Sequence, residues 1–89
     1  MPNPPNTLDG WTNHAHAGYG DILGRPPSDQ EMRQLLRLWK VNSAKAFLNR
    51  YGRWQVKVEV GSKRSRRKVW LVAGEQQGKW LLWTVFEVG

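Results

Sequence analysis

Between Asp29 and Lys40, apolar side chains recur at the spacing of one face of an α-helix. Four of them follow the i, i+3, i+4, i+7 rule: Met32, Leu35, Leu36 and Trp39. Ser28 stands where an N-cap is needed, and Glu31 follows three residues later, as in a capping box. The pattern therefore predicts a helix that begins after Ser28 and turns this apolar face toward a core.

A second apolar set follows at the same helical spacing: Ala44, Phe47, Leu48 and Tyr51. It is rotated by about 150° from the first set on a helical wheel, so one straight helix would be buried on nearly all sides. Ser43 can serve as a new N-cap and Gly52 as a stop. We expect two short helices, 29–40 and 43–51, with one long bent helix over 29–51 as the alternative.

From position 53 onward the apolar period changes from helical to alternating, which is typical of β-strands. Three segments have strand character and are separated by Gly-containing turns: 53–60, 68–73 and 79–88. Strands joined by such short connections form antiparallel meanders. The predicted fold class is α+β, with one or two helices over 29–51 packed on a three-stranded antiparallel meander.

Residues 1–27 contain all five prolines and four of the nine glycines, a composition that favours irregular structure. The segment also contains several large apolar residues, which a wholly disordered tail would not usually carry. We therefore expect an irregular N-terminal arm, partly packed on the body, before a single small α+β domain over 28–89.

The last strand, 79–88, is apolar on both faces, and helices can cover only one of them. An uncovered apolar edge strand tends to associate with other chains. The N-terminal arm or a second subunit could cover it, so a homodimer formed through strand 79–88 is one expectation.

Charge narrows the set of partners. The 89 residues carry a formal net charge of +7 with no cysteine, and no apolar run approaches the length of a membrane-spanning helix. A strongly basic small domain favours polyanions. We expect a soluble, cytoplasmic protein whose main partner is DNA or RNA.

The densest positive charge lies between the first two predicted strands, where residues 61–68 hold five cations and no anion. Guanidinium groups match phosphate geometry, and a narrow hairpin can follow a nucleic-acid backbone. A solvated turn is the structural alternative. The candidate phosphate-binding residues are those of this loop, those of the basic stripe on the first helix and two further cations: Lys63, Arg64, Arg66, Arg67, Lys68, Arg33, Arg37, Lys40, Lys45 and Arg50.

Tryptophan offers a second kind of contact. Trp70 lies two residues beyond the basic loop, and Trp83 lies on the second face of the last strand. Both are candidates for stacking on bases or for a protein interface, with core packing as the alternative for each. A protein-interaction module, such as a small inhibitor or accessory subunit, is therefore the second functional hypothesis.

No spacing in the chain indicates a catalytic site, a metal site or a cofactor, and we expect a protein that is not an enzyme. His14 and His16 could act in acid–base chemistry with Asp9 or Asp21, but nothing in their spacing brings them together. Small basic mRNA-cleaving toxins are similar in size and in having a C-terminal sheet, although none of their motifs is matched. A small ribonuclease is accordingly a lower alternative.

Overall fold

The computed structural model describes residues 3–89 and contains two α-helices and five β-strands. Their bounds, in chain order, are β1 Gly10–Trp11, α1 Asn13–Leu23, α2 Asp29–Asn42, β2 Phe47–Leu48, β3 Trp54–Ser62, β4 Ser65–Gln76 and β5 Lys79–Glu87. A short 3-10 turn, Ser43–Lys45, follows α2. The α+β class expected from the sequence is confirmed, while the number of strands is larger than predicted.

The N-terminal segment is not an irregular arm, because it contains β1 and the whole of α1. The Oγ1 of Thr12 caps the helix by accepting a hydrogen bond from the amide of Ala15 at 3.0 Å. Gly24 ends it in the left-handed conformation, at φ 75°. The glycines within α1 weaken its helical signal, so burial of one side of the helix outweighs the local propensity. The first two residues of the predicted arm lie outside the described residues.

The helix predicted to begin after Ser28 is confirmed as α2. The hydroxyl of Ser28 accepts from the amide of Glu31, and the carboxylate of Glu31 accepts from the amide of Ser28, which completes the capping box. Arg25 adds a two-pronged ion pair to the same carboxylate, with N···O distances of 2.8 and 2.7 Å.

The predicted helix over 43–51 is wrong, and so is a bent helix over 29–51. After the 3-10 turn the chain becomes extended, and Phe47 and Leu48 pair with Gln55 and Trp54 as strand β2. The helical spacing of the second apolar set does not reflect a helix, because the contacts of Phe47 with the sheet outweigh it.

The antiparallel meander β3–β4–β5 is confirmed, and it forms the centre of a mixed sheet with the order β1-β5-β4-β3-β2. β2 extends the sheet beyond β3, while β1 pairs in parallel with β5 through Gly10 and Trp11. β3 and β4 continue beyond their predicted ends, to Ser62 and from Ser65. The predicted loop over 61–68 is thus mostly strand, with Lys63 and Arg64 alone as its turn.

Both helices pack on one face of the sheet, where the core lies. α1 contributes Ala15, Tyr19 and Ile22, and α2 contributes three residues that are fully buried, Met32, Leu35 and Trp39. The indole nitrogen of Trp39 donates to the carbonyl of Pro5 at 2.8 Å, which ties the residues before β1 to the same layer.

The last strand is paired on its outer edge at one end, where β1 meets Leu81 and Leu82. β5 lies between β4 and β1, and α1 approaches it so closely that a Cβ at Gly18 would collide with the carbonyl of Val85. β1 covers only that end of the outer edge of β5, and within residues 3–89 no helix covers its second face, so a homodimer through strand 79–88 stays a prediction. In the described part of the chain, no helix combines the length and apolarity that a bilayer crossing requires.

Candidate nucleic-acid interface

One face of the sheet carries no helix within residues 3–89, and we call it the open face. The strand pairings place Lys57 opposite Trp70, Trp70 opposite Phe86 and Gln55 opposite Val72, all outside the core cluster. The side chains of this surface are Phe47, Arg53, Gln55, Lys57, Glu59, Arg66, Lys68, Trp70, Val72, Leu81, Trp83, Thr84 and Phe86. The open face combines aromatic rings with positive charge.

Trp70 lies at the centre of this surface. Its ring meets the ring of Phe47 edge-on, with 5.8 Å between centroids and an interplanar angle of 90°. The ammonium of Lys57 lies 5.6 Å from the indole centroid, a cation–π distance. Phe86, its neighbour across β5, is 44% exposed. Two aromatic side chains and a cation thus surround one partly exposed indole.

Trp83 reaches the open face because β5 contains a β-bulge. Val72 pairs with Thr84 and Ala73 with Leu82, so Trp83 is the extra residue between them. Its ring lies over Gly74, where an added Cβ would be 3.0 Å from Cε3 of the indole. The guanidinium of Arg53 lies on the ring, 4.6 Å from its centroid. The same added Cβ would be 3.2 Å from Nε of Arg53, so the indole and the guanidinium both pack against Gly74, and both side chains are half-buried.

The positive loop of the sequence is a two-stranded ribbon, residues 59–68, which extends beyond the point where β5 begins to pair with β4, at Val69. We call it the basic hairpin. Lys63 and Arg64 form its exposed turn, and alternation along β4 directs Arg66 and Arg67 to opposite faces.

The cations of the basic hairpin differ in their partners. Arg66 lies 3.6 Å from the carboxylate of Glu59, and Arg67 lies 4.0 Å from that of Glu87. Arg67 also donates to the carbonyl of Ile22 at 2.6 Å, in the last turn of α1. In the described residues, no salt bridge engages Lys63, Arg64 or Lys68, which are therefore the cations most available to a ligand.

The structure does not bring the helix stripe to this surface. Arg33, Arg37 and Lys40 are exposed on α2, with Arg33 beside Asp9 and Trp11 at the β1 edge, and the sheet lies between α2 and the open face. Lys45 is exposed in the 3-10 turn. The guanidinium of Arg50 lies 5.5 Å from the ring centroid of its neighbour Tyr51, in the connection between β2 and β3.

Two of the four groups named as a catalytic alternative, His16 and Asp9, have separate partners. The Nε2 of His16 is 3.2 Å from the carbonyl of Pro27, and the carboxylate of Asp9 accepts from the amide of Trp80 at 3.3 Å. Across residues 3–89, no three His, Cys, Asp or Glu side chains converge as metal ligands would.

A hollow of about 420 Å³ lies between the helices and the basic hairpin. Tyr19, Arg25, Glu31 and Arg67 contribute its main polar groups. The ion pair with Arg25, followed by the amide of Ser28, lowers the pKa of Glu31 from 4.5 to about 2. Burial and the nearby carboxylate of Glu31 raise the pKa of Tyr19. Arg25 and Glu31 pair with each other, and Arg67 is bound to Ile22 and Glu87, so these charges are already engaged and the hollow is a weaker candidate site than the open face.

Four aromatic or cationic contributors to the open face are absent from the sequence prediction: Phe47, Arg53, Lys57 and Phe86. Lys57 was accessible to sequence reasoning, because it alternates with the buried valines of β3 and must point to the other face. Arg53 and Phe47 depend on the bulge at Trp83 and on the short strand β2, which leave no clear signal in the sequence.

No protein-family model, curated protein or solved structure shows significant similarity to this chain. The function of the protein is therefore inferred from the chemistry and geometry of its own residues.

Proposed function

We propose that this protein is a small nucleic-acid-binding module that holds a phosphate backbone against its open face and its basic hairpin. The observation that carries the proposal is the pairing of each central indole of the open face with a cation: Trp70 with Lys57 and Trp83 with Arg53. A nucleic acid carries bases and phosphates in regular alternation. Its bases can stack on the aromatic rings while its phosphates contact the neighbouring cations.

The charge of the surface supports a polyanionic ligand. Glu59 is the one carboxylate among the open-face residues, and Arg66 lies beside it. Lys63 and Arg64 extend the positive region beyond the sheet, at the end of a ribbon narrow enough to follow a backbone. Ammonium and guanidinium groups in these positions can neutralise several phosphates at once, which is the main source of nonspecific affinity.

The helix stripe has no place in the proposed contact. A strand lying on the open face cannot also reach Arg33 and Arg37, because the sheet lies between α2 and that face. These two arginines therefore provide a matched control for charge, since removing them changes the net charge as much as removing two hairpin cations.

The test is fluorescence anisotropy with labelled mixed-sequence oligonucleotides, both single-stranded and duplex, at one fixed salt concentration. The double variant Lys63→Gln, Arg64→Gln should weaken binding by about tenfold, because two phosphate contacts are lost. The control Arg33→Gln, Arg37→Gln should weaken it by less than about threefold, since only the long-range field changes. Equal losses in the two variants, or no binding by the unchanged protein, would contradict the proposal.

A protein-interaction module is the second candidate, and the exposure of large apolar groups on the open face favours it. Phe47 is 48% exposed and Phe86 is 44% exposed, and aromatic residues with arginine are common at the centres of protein interfaces. Under this alternative, neutralising Lys63 and Arg64 leaves function largely intact, whereas Trp83→Ala abolishes capture of the partner. The hairpin variant thus separates the two candidates.

A further inference from the structure

The two indoles of the open face are too far apart to be used by adjacent bases of a duplex. Trp70 lies opposite Phe86, and Trp83 bulges between the partners of Val72 and Ala73, which corresponds to about 8 Å along the strand and one strand across. Adjacent bases in a duplex are about 3.4 Å apart along each strand, and their faces are already covered by their neighbours. Only an unpaired, unstacked strand can present bases to both positions.

The surroundings of each indole fit a flat aromatic ligand. Trp70 has Phe47 at its edge, and the cation on its face, Lys57, is a flexible side chain that can move from the ring to a phosphate. At the other position the guanidinium of Arg53 lies over the indole of Trp83, and both side chains are half-exposed. Bases stack on guanidinium planes as well as on aromatic rings.

From this geometry we infer that the open face binds a single-stranded segment of nucleic acid, with one unpaired base on Trp70 and a second on the Arg53–Trp83 stack. At least one nucleotide lies between these two bases, because the span is about three times the stacking distance. Lys57 and Lys68, beside the first position, contact the phosphates of the same segment. This inference depends on the proposed function, and it specifies the form of nucleic acid that is bound.

The experiment compares three fluorescent probes of equal length with the full-length protein: a mixed-sequence single strand, its duplex, and a strand of abasic residues that keeps every phosphate. The single strand should bind about tenfold or more tightly than the other two, because only it offers free bases. Trp70→Leu, which keeps an apolar side chain but no aromatic face, should weaken single-strand binding about tenfold. Trp70→Phe should restore most of the affinity.

Trp83→Leu tests the second position with the same probes, and circular dichroism shows whether the variant folds. If it does not fold, Trp70→Leu and the abasic probe still decide the question. Equal binding of the single and abasic strands, or single-strand affinity that stays within twofold in Trp70→Leu, overturns the inference. If affinity in those cases still falls when Lys63 and Arg64 are neutralised, the proposed function remains. Absence of binding to every probe overturns both.

Discussion

At the scale of single residues, neighbouring arginines in the basic hairpin make different contacts. Arg66 and Arg67 are adjacent in sequence, but strand alternation directs Arg66 to the open face and Arg67 to the helix side. There Arg67 donates to the carbonyl of Ile22, a group in the last turn of α1 that has no partner within the helix. A cation at this position also complements the negative end of the helix dipole. Arg67 therefore stabilises the fold and is a less available ligand-binding cation than Lys63 or Arg64.

Replacing Arg67 should cost stability, whereas replacing an arginine at the turn should not. We expect Arg67→Gln to lower the free energy of unfolding by about 1 to 2 kcal/mol, through loss of a charge-assisted hydrogen bond at a helix end. Arg64→Gln removes the same charge and should change stability by less than about 0.5 kcal/mol. Urea unfolding followed by circular dichroism measures both. Equal effects of the two substitutions would show that net charge, rather than the contact with α1, controls stability.

At the scale of elements, the sequence predicts segments well where local chemistry and burial agree. The capping box at Ser28 and the alternation of β3 both have that character. Prediction from the sequence fails where tertiary contacts determine the secondary structure. Helix α1 contains two glycines and follows a proline-rich stretch, yet it forms because its buried side packs on β5. Phe47 has helical spacing but pairs with β3.

The candidate site shows the same division. The cations of the basic hairpin and the indole of Trp70 can be identified from the sequence, because charge density and strand alternation are local properties, whereas Trp83 reaches the open face through the bulge. Arg53 cannot be identified in this way either. Arg53 meets Trp83 through a bulge that changes the alternation of β5, and a shift of one residue exchanges the two faces of a strand.

The start of α2 should make stability depend on pH in the acid range. Because Arg25 and the amide of Ser28 stabilise the ionised carboxylate, the pKa of Glu31 is lowered from 4.5 to about 2. Glu31 therefore contributes its full stabilisation above about pH 4.5, and this contribution disappears as the pH falls toward 2.

The variant Glu31→Gln keeps a capping-box side chain but loses the ion pair with Arg25, so its stability can be compared with that of the unchanged protein. Near neutral pH this variant should be less stable by about 1 kcal/mol, a modest value because the ion pair is solvent-accessible. The difference should shrink as the pH falls from about 4.5 toward 2, where about half of the Glu31 carboxylates are protonated. Thermal unfolding from pH 2 to 7 measures it, with Glu75→Gln as a control at an exposed carboxylate. A difference that does not change with pH would mean that the ion pair contributes nothing.

At the scale of the whole molecule, positive charge occurs on both sides of a two-layer domain. The chain has a net charge of +7, and its cations are divided between α2 and the surface formed by the open face and the basic hairpin. Net charge alone would attract polyanions to either side. Only the second surface also offers aromatic rings, so the two sides differ in chemistry although both are positive.

The salt dependence of binding counts how many phosphates this surface contacts. Five of its cations lack a salt bridge in the described residues: Arg53, Lys57, Lys63, Arg64 and Lys68. If each contacts one phosphate of a single strand, the logarithm of the association constant should fall with that of salt concentration at a slope of about −3.5. Neutralising Lys63 and Arg64 should flatten the slope to about −2, since counterion release at two phosphates is lost. Neutralising Arg33 and Arg37 should leave it near −3.5. A slope that flattens equally in both variants would mean that the strand responds to the overall field and not to this surface.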